Sequence, residues 1–191
     1  MTELPTLTVQ RRPTGQAAAR ALRRQGLVPG ILYGSGISPI PIAARLHALR
    51  PFIASRETHI IRLSIEGEPQ SYECILKDTA FDPVTDALIH FDLQVVTADR
   101  PIEVEVPIML VGTPIGVTKG GILEHFLHAL RIECLPRDLP EHLTIDVSGL
   151  DIGQSLHVRE LSFPSLRIVE HPDTVILTIV APKVPEEAAE G

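Results

Sequence analysis

The chain has 191 residues and a formal net charge of −7, a length that suits one large domain or two of about 90–100 residues each. Two distant cysteines make no disulfide framework, no apolar run is long enough for a membrane-spanning helix, and no secretory h-region stands near Met1, so a soluble cytoplasmic protein with free thiols is expected. The charge is lopsided: residues 1–50 carry seven arginines against one acid, Glu3, while the remainder is strongly acidic.

Residues 7–9 read as a first strand running into Arg11 and Arg12. Thr14 is placed as an N-cap, and Gln16–Arg24 reads as a helix built on three alanines and Leu22, closed by Gly26 with Pro29 beyond. Arg20, Arg23 and Arg24 stand at i, i+3 and i+4 on one face, with Ala18 and Leu22 free to pack inward. Residues 28–33 form a strand ending in Tyr33, and 39–43 a further extended piece. A short helix follows over 46–53. Strands at 58–65 and 70–77 flank a hairpin turn at Glu66-Gly67-Glu68. A polar stretch, 78–86, leads to a strand over 87–96.

Residues 97–101 are the best linker. Beyond it 102–111 alternates as a strand, 112–121 is a glycine-rich loop, and 122–134 is mostly extended. Short strands follow at 142–147, 155–158, 166–169 and 174–180. Branched-chain residues dominate and Pro and Gly punctuate them. The expected fold is therefore mainly β with short helices, in two parts: an N-terminal domain over 1–96 and a second β-rich domain over 101–182. Residues 183–191 form an acidic tail expected to be disordered.

Catalytic chemistry finds little footing. The run from Gly112 to Gly121 lacks the G-x-x-x-x-G-K-[ST] spacing of a phosphate loop. His125 and His128 would point to opposite faces of an extended segment and lack a third ligand, so no metal and no cofactor is expected. No nucleophile elbow or H-E-x-x-H is present, and the chain reads as a non-enzyme. His90-Phe91-Asp92 differs: in a strand, His90 and Asp92 project from one face and Phe91 from the other. That polar pair is either water-exposed or aimed at a ligand's polar edges. Tyr33 faces the same choice between core filler and stacking platform.

The run Gly15…Arg20-Ala-Leu-Arg23-Arg24-Gln-Gly26-Leu-Val-Pro29-Gly-Ile-Leu-Tyr33-Gly34 resembles the opening signature of the bacterial large-subunit ribosomal proteins that bind 5S rRNA, protein twenty-five of that subunit. Lys77-Asp78…Pro83-Val84…His90-Phe91-Asp92 resembles their second signature. Gly112-Thr-Pro-Ile-Gly116, Cys134-Leu-Pro136, Asp146-Val-Ser-Gly-Leu150 and Ile152-Gly-Gln-Ser-Leu-His157 are similar to the extra domain of the long, general-stress (Ctc-type) form. Together these motifs span about residues 7–182.

The resemblance implies an N-terminal RNA-binding β-barrel docked on loop E of 5S rRNA, a place in the large ribosomal subunit, and no membrane. The resemblance does not fix the role of the C-terminal β domain; its acidity disfavours rRNA backbone and leaves either a neighbouring ribosomal protein or an exposed position on the ribosome. Loop E is a helix of non-Watson–Crick pairs, which suits arginines on phosphates and Tyr, His and Asp on ribose hydroxyls and base edges. The RNA-contact candidates are Arg11, Arg12, Gly15, Arg20, Arg23, Arg24, Tyr33, His90 and Asp92. The chain departs from the family where Gln16-Ala-Ala-Ala-Arg20-Ala21 stands for K-G-[AS]-S-R-R, and where Ala80-Phe-Asp-Pro83 stands for Q-R-H-P. Fewer cations imply weaker binding with a flatter salt dependence. The competing readings are a tRNA-contacting module outside the ribosome and a stress-related protein-binding factor.

Overall fold

The computed structural model describes residues 4–34, 36–54 and 58–182, so the expected tail over 183–191 lies outside the described residues. The chain runs β1 (Thr6–Arg11), α1 (Gln16–Arg24), β2 (Leu27–Gly34), β3 (Ile37–Arg45), α2 (Leu46–Ala54), β4 (Ile60–Ile65), β5 (Ser71–Phe81) and β6 (Leu88–Val95). These six strands close into a barrel in the order β1-β3-β2-β6-β5-β4. The β1–β4 and β2–β6 pairs are parallel and the others antiparallel. Alternation fills the interior with Leu7, Val9, Leu32, Ile42, Leu63, Phe91 and Leu93, all almost fully buried. Leu49 of α2 joins that core, with Ala48, Phe52 and Ile53 packed beside it. Cys74 is also inside, and burial pushes its thiol up to about 12.

The helix over 16–24 forms where expected, but its cap does not. Ala19 N–H donates to the Gly15 carbonyl at 3.1 Å, which makes Gly15 the N-cap, and no side chain caps it. Thr14 stands one residue too early for its hydroxyl to reach the first turn. At the other end Gly26 takes φ 76°, a left-handed position that a side chain would strain.

The segment at 78–81, expected as loop, instead continues β5. Lys77 is bulged between the Leu76–Leu93 and Asp78–Asp92 pairs, and the ladder resumes beyond it. A second bulge falls opposite Ala80 and Phe81, which pair with His90 and Leu88 and leave Ile89 unpaired. Bulges break the simple alternation, so a pattern of period two reads the far side of one as loop.

Later come β7 (Ile102–Val111), α3 (Ile115–Thr118), β8 (Ile122–His125), β9 (Ala129–Cys134), β10 (Leu143–Asp146), β11 (Ser155–His157), β12 (Arg167–Ile168) and β13 (Val175–Val180). They make a four-stranded sheet, β10-β7-β9-β12, and a three-stranded one, β11-β13-β8. One compact unit takes the chain up to Val104 with Cys134–Glu141, and a second takes Glu105–Glu133 and the chain from His142. The glycine-rich run holds the single helical turn α3, which the loop reading did not include. The strand expected over 155–158 ends at His157. There a one-turn 3-10 helix, Val158–Glu160, begins, with the Glu160 carboxylate accepting the His157 backbone N–H at 3.0 Å.

Gly30 and Phe91 set the tightest fit in the barrel. A Cβ at Gly30 would lie 2.6 Å from the Phe91 ring and from its carbonyl oxygen. Gly30→Ala is expected to cost about 1–3 kcal/mol, the scale of core overpacking, read as a lowered midpoint in urea unfolding. Neither thiol is accessible, since Cys74 and Cys134 are both buried. A thiol reagent at mildly alkaline pH is expected to find no fast-reacting group in the folded protein and both groups after denaturation.

Candidate nucleic-acid interface

α1 lies on the outside of the barrel. It packs on β2 through half-buried Ala18, Ala19 and Leu22 and leaves Arg20, Arg23 and Arg24 exposed. Its orientation is pinned by one bond: Arg23 Nε donates to the Ile89 carbonyl at 3.1 Å. Ile89 is the residue that the β6 bulge leaves unpaired with β5, and on the β2 side the parallel register runs back from Gly30–Phe91 to Pro29, which has no N–H to donate. The arginine helix is thereby fastened one residue away from His90.

On β6, Phe91 is fully buried while His90 and Asp92 project outward. His90 Nδ1 lies 2.9 Å from Asp92 Oδ1, with both side chains about a third exposed. The parallel register places Ile31 beside Asp92 and Tyr33 beside Gln94, which puts Tyr33 on the same outer face. Burial, and then the charges of Asp92 and Asp78, raise the Tyr33 phenol above its ordinary range, so its hydroxyl stays a donor. Asp78 stands directly across from Asp92, which gives the face two acids as well as its arginines.

Gly15 takes φ 108°, and nothing lies within 4 Å of where a Cβ would stand. A ligand backbone can approach there without meeting a side chain.

The two arginines ahead of the helix also bond to the protein itself. Arg11 pairs with the Glu68 carboxylate, which raises its pKa further above the ordinary range. Arg12 lays its guanidinium on the sheet: Nε is 2.9 Å from the Ile42 carbonyl, and Nη2 is 3.2 Å from that of Gly30. Burial, and then the nearby Arg23, lower its pKa. Arg12 thus clamps β2 to β3 from outside. The structure gathers Arg20, Arg23, Arg24, Tyr33, His90 and Asp92 around α1, β2 and β6, and assigns Arg12 to holding the sheet beneath them. Sequence reasoning missed Ile89. Its role is carried by a backbone carbonyl that a bulge exposes, and no side-chain pattern signals that.

The His125–His128 pair also departs from expectation. Phe126 and Leu127 both donate their N–H to the Ile176 carbonyl, so the segment turns instead of staying extended. The ring centroids come to 4.3 Å, and burial, then His128, lower the pKa of His125. Among the described residues no group of three or more His, Cys, Asp or Glu side chains is arranged to hold a metal ion.

Residues 7–93 match the model of the ribosomal L25p family, and residues 101–183 that of the C-terminal domain of ribosomal protein TL5. Fold and matches together define a two-part β protein of ribosomal-protein type, with the arginine helix on its N-terminal barrel. The chain is 40% identical over 190 residues to the large ribosomal subunit protein bL25 of Chlorobium phaeobacteroides, covering 98% of this chain and 96% of that one. It is 41% identical over 193 residues to bL25 of Chlorobium luteolum, covering 99% and 95%. With bL25 of Carboxydothermus hydrogenoformans it shares 42% over 163 residues, covering 85% and 81%. The chain belongs to the ribosomal L25p family, in the long form with a TL5-type C-terminal domain.

Arg12→Ala removes a guanidinium from two strand carbonyls and is expected to cost about 1–3 kcal/mol of stability. Thermal unfolding is the measurement, and exposed Arg20→Ala, run beside it, is expected to leave the midpoint unchanged.

Proposed function

We propose that this protein is a structural, non-catalytic constituent of the large ribosomal subunit, and that its N-terminal barrel binds 5S rRNA at loop E. The observation that carries the reading is the Arg23–Ile89 bond, which fastens an arginine helix beside the strand bearing His90 and Asp92. In a chain of this family, that juxtaposition combines phosphate neutralisation with groups able to read ribose and base edges. Arg20, Arg23 and Arg24 take phosphates. Tyr33, His90 and Asp92 meet the polar edges that non-Watson–Crick pairs present, and Gly15 admits the close approach of the RNA backbone. Arg12 supports the interface from behind by holding β2 to β3.

In this reading residues 1–96 hold the RNA and residues 101–182 face protein. Every described cation of the second unit is already matched to an acid: Lys119 to Asp151, Arg131 to Glu105, Arg159 to Asp173 and Arg167 to Glu133. A surface with its cations so engaged and its acids in excess repels phosphate. Neighbouring ribosomal proteins are the partners that suit it.

The test titrates the full-length protein against a loop E fragment and against tRNA over a range of salt. The expected result is tighter binding to loop E that weakens as salt rises. Arg20→Ala is expected to weaken both RNAs and to flatten the log–log salt slope by about 0.7–0.9, one phosphate's worth. His90→Ala and Asp92→Ala are expected to erode the preference for loop E while leaving that slope in place. Equal affinity of the wild-type protein for both RNAs would overturn the assignment to loop E.

A further inference from the structure

The cationic surface of the first unit does not end with α1. The chain leaves that helix through Gly26, whose carbonyl accepts the Leu46 N–H at 3.2 Å. The C-terminal end of α1 and the N-terminal end of α2 therefore meet through the backbone. The register agrees, since Leu27 of β2 stands opposite Arg45 at the end of β3. Arg24, three residues before Leu27, thus comes to the same end of the barrel as Arg45.

α2 turns Leu49, Ala48, Phe52 and Ile53 to the core and leaves His47 and Arg50 exposed. Arg50 lies five residues beyond Arg45, the last residue of β3, which is about 7.5 Å of helical rise. The first turn of α2 holds no acid, so the positive end of its dipole adds to the field there. Among the described residues, no ion pair engages Arg24, Arg45 or Arg50. Each of the four described cations of the second unit, by contrast, has an acidic partner. On a chain of net charge −7, three unengaged guanidinium groups at the junction of two helices mark a place where an external anion supplies the missing charge.

We infer that Arg45 and Arg50, together with Arg24, form a second phosphate-binding patch that holds the sugar–phosphate backbone of the RNA helix flanking the site faced by His90 and Asp92. The inference rests on the RNA-binding reading above and extends its footprint from α1 across to α2. RNA is the occupant because the patch is continuous, through Arg24, with the arginine helix of the proposed interface. Exposed arginines in this setting neutralise phosphate without discriminating bases, so the patch adds affinity and register but no selectivity.

The experiment uses the full-length protein, the double variant Arg45→Gln/Arg50→Gln and its charge-keeping counterpart Arg45→Lys/Arg50→Lys. Each is titrated over a salt series against a loop E fragment carrying a long flanking stem and against one trimmed of that stem. On the long RNA the glutamine variant is expected to lose about 0.7–0.9 of the log–log slope for each arginine. Its preference for loop E over tRNA is expected to stay at the wild-type ratio. Trimming the stem is expected to weaken the wild-type protein and the lysine variant, and to leave the glutamine variant unchanged.

A glutamine variant with the wild-type slope overturns the patch, even while the weakened loop E binding of Arg20→Ala upholds the main site. Loss of the loop E preference in the glutamine variant overturns it too, because the arginines would then be reading sequence. A wild-type protein that binds neither RNA overturns both readings.

Discussion

Phe91 fills the middle of the barrel only because Gly30, on the neighbouring strand, has no side chain. With a Cβ separation of 2.6 Å in prospect, any larger residue at position 30 would push the ring out and loosen the β2–β6 register. That register is parallel and continuous from Gly30 opposite Phe91 to Gly34 opposite Val95. Because side chains alternate along a strand, sinking Phe91 into the core obliges His90 and Asp92 to face outward. The polar face of the molecule is thus a geometric consequence of how its core is packed.

The β6 bulge converts that face into a composite one. On the β2 side the parallel register runs back from Gly30–Phe91 to Pro29, which has no N–H to offer the Ile89 carbonyl. On the β5 side the bulge leaves Ile89 unpaired, and Arg23 reaches its carbonyl from the helix outside. A single side-chain bond in a partly exposed position contributes modestly to stability. Its larger effect is positional, since it holds α1 against the strand whose side chains it complements. Arg12 works in a related way from beneath, joining β2 and β3 through their carbonyls.

The two units handle charge differently. In the second, the four described cations each lie against a carboxylate, and such exposed pairs contribute little to stability while offsetting the cations' positive field. In the first, Arg11 is paired and Arg12 and Arg23 rest on carbonyls, while Arg20 and Arg24 stand open to solvent. The excess of arginine at one end of an acidic chain becomes a usable field because of which side chains the fold leaves unengaged.

Much of this was legible in the residues. The helix over 16–24 follows from its alanines, with Gly26 to stop it, and the outward projection of His90 and Asp92 follows from strand periodicity. The short helix after Arg45 and most of the barrel strands follow from the same local patterns. The signatures shared with the L25p family implied the barrel, and with it the RNA-binding role proposed above. What stayed hidden depends on partners distant in sequence. The continuation of β5 to Phe81, the cap at Gly15, the turn joining His125 to His128 and the commitment of Arg12 to the sheet all arise from hydrogen bonds that local pattern cannot see. The sequence alone determined the type of residue on each face, because alternation and helical spacing are local properties. Tertiary structure decided which arginines are spent on the protein's own carbonyls and carboxylates and which remain free, because that depends on acceptors brought close only when the barrel closes.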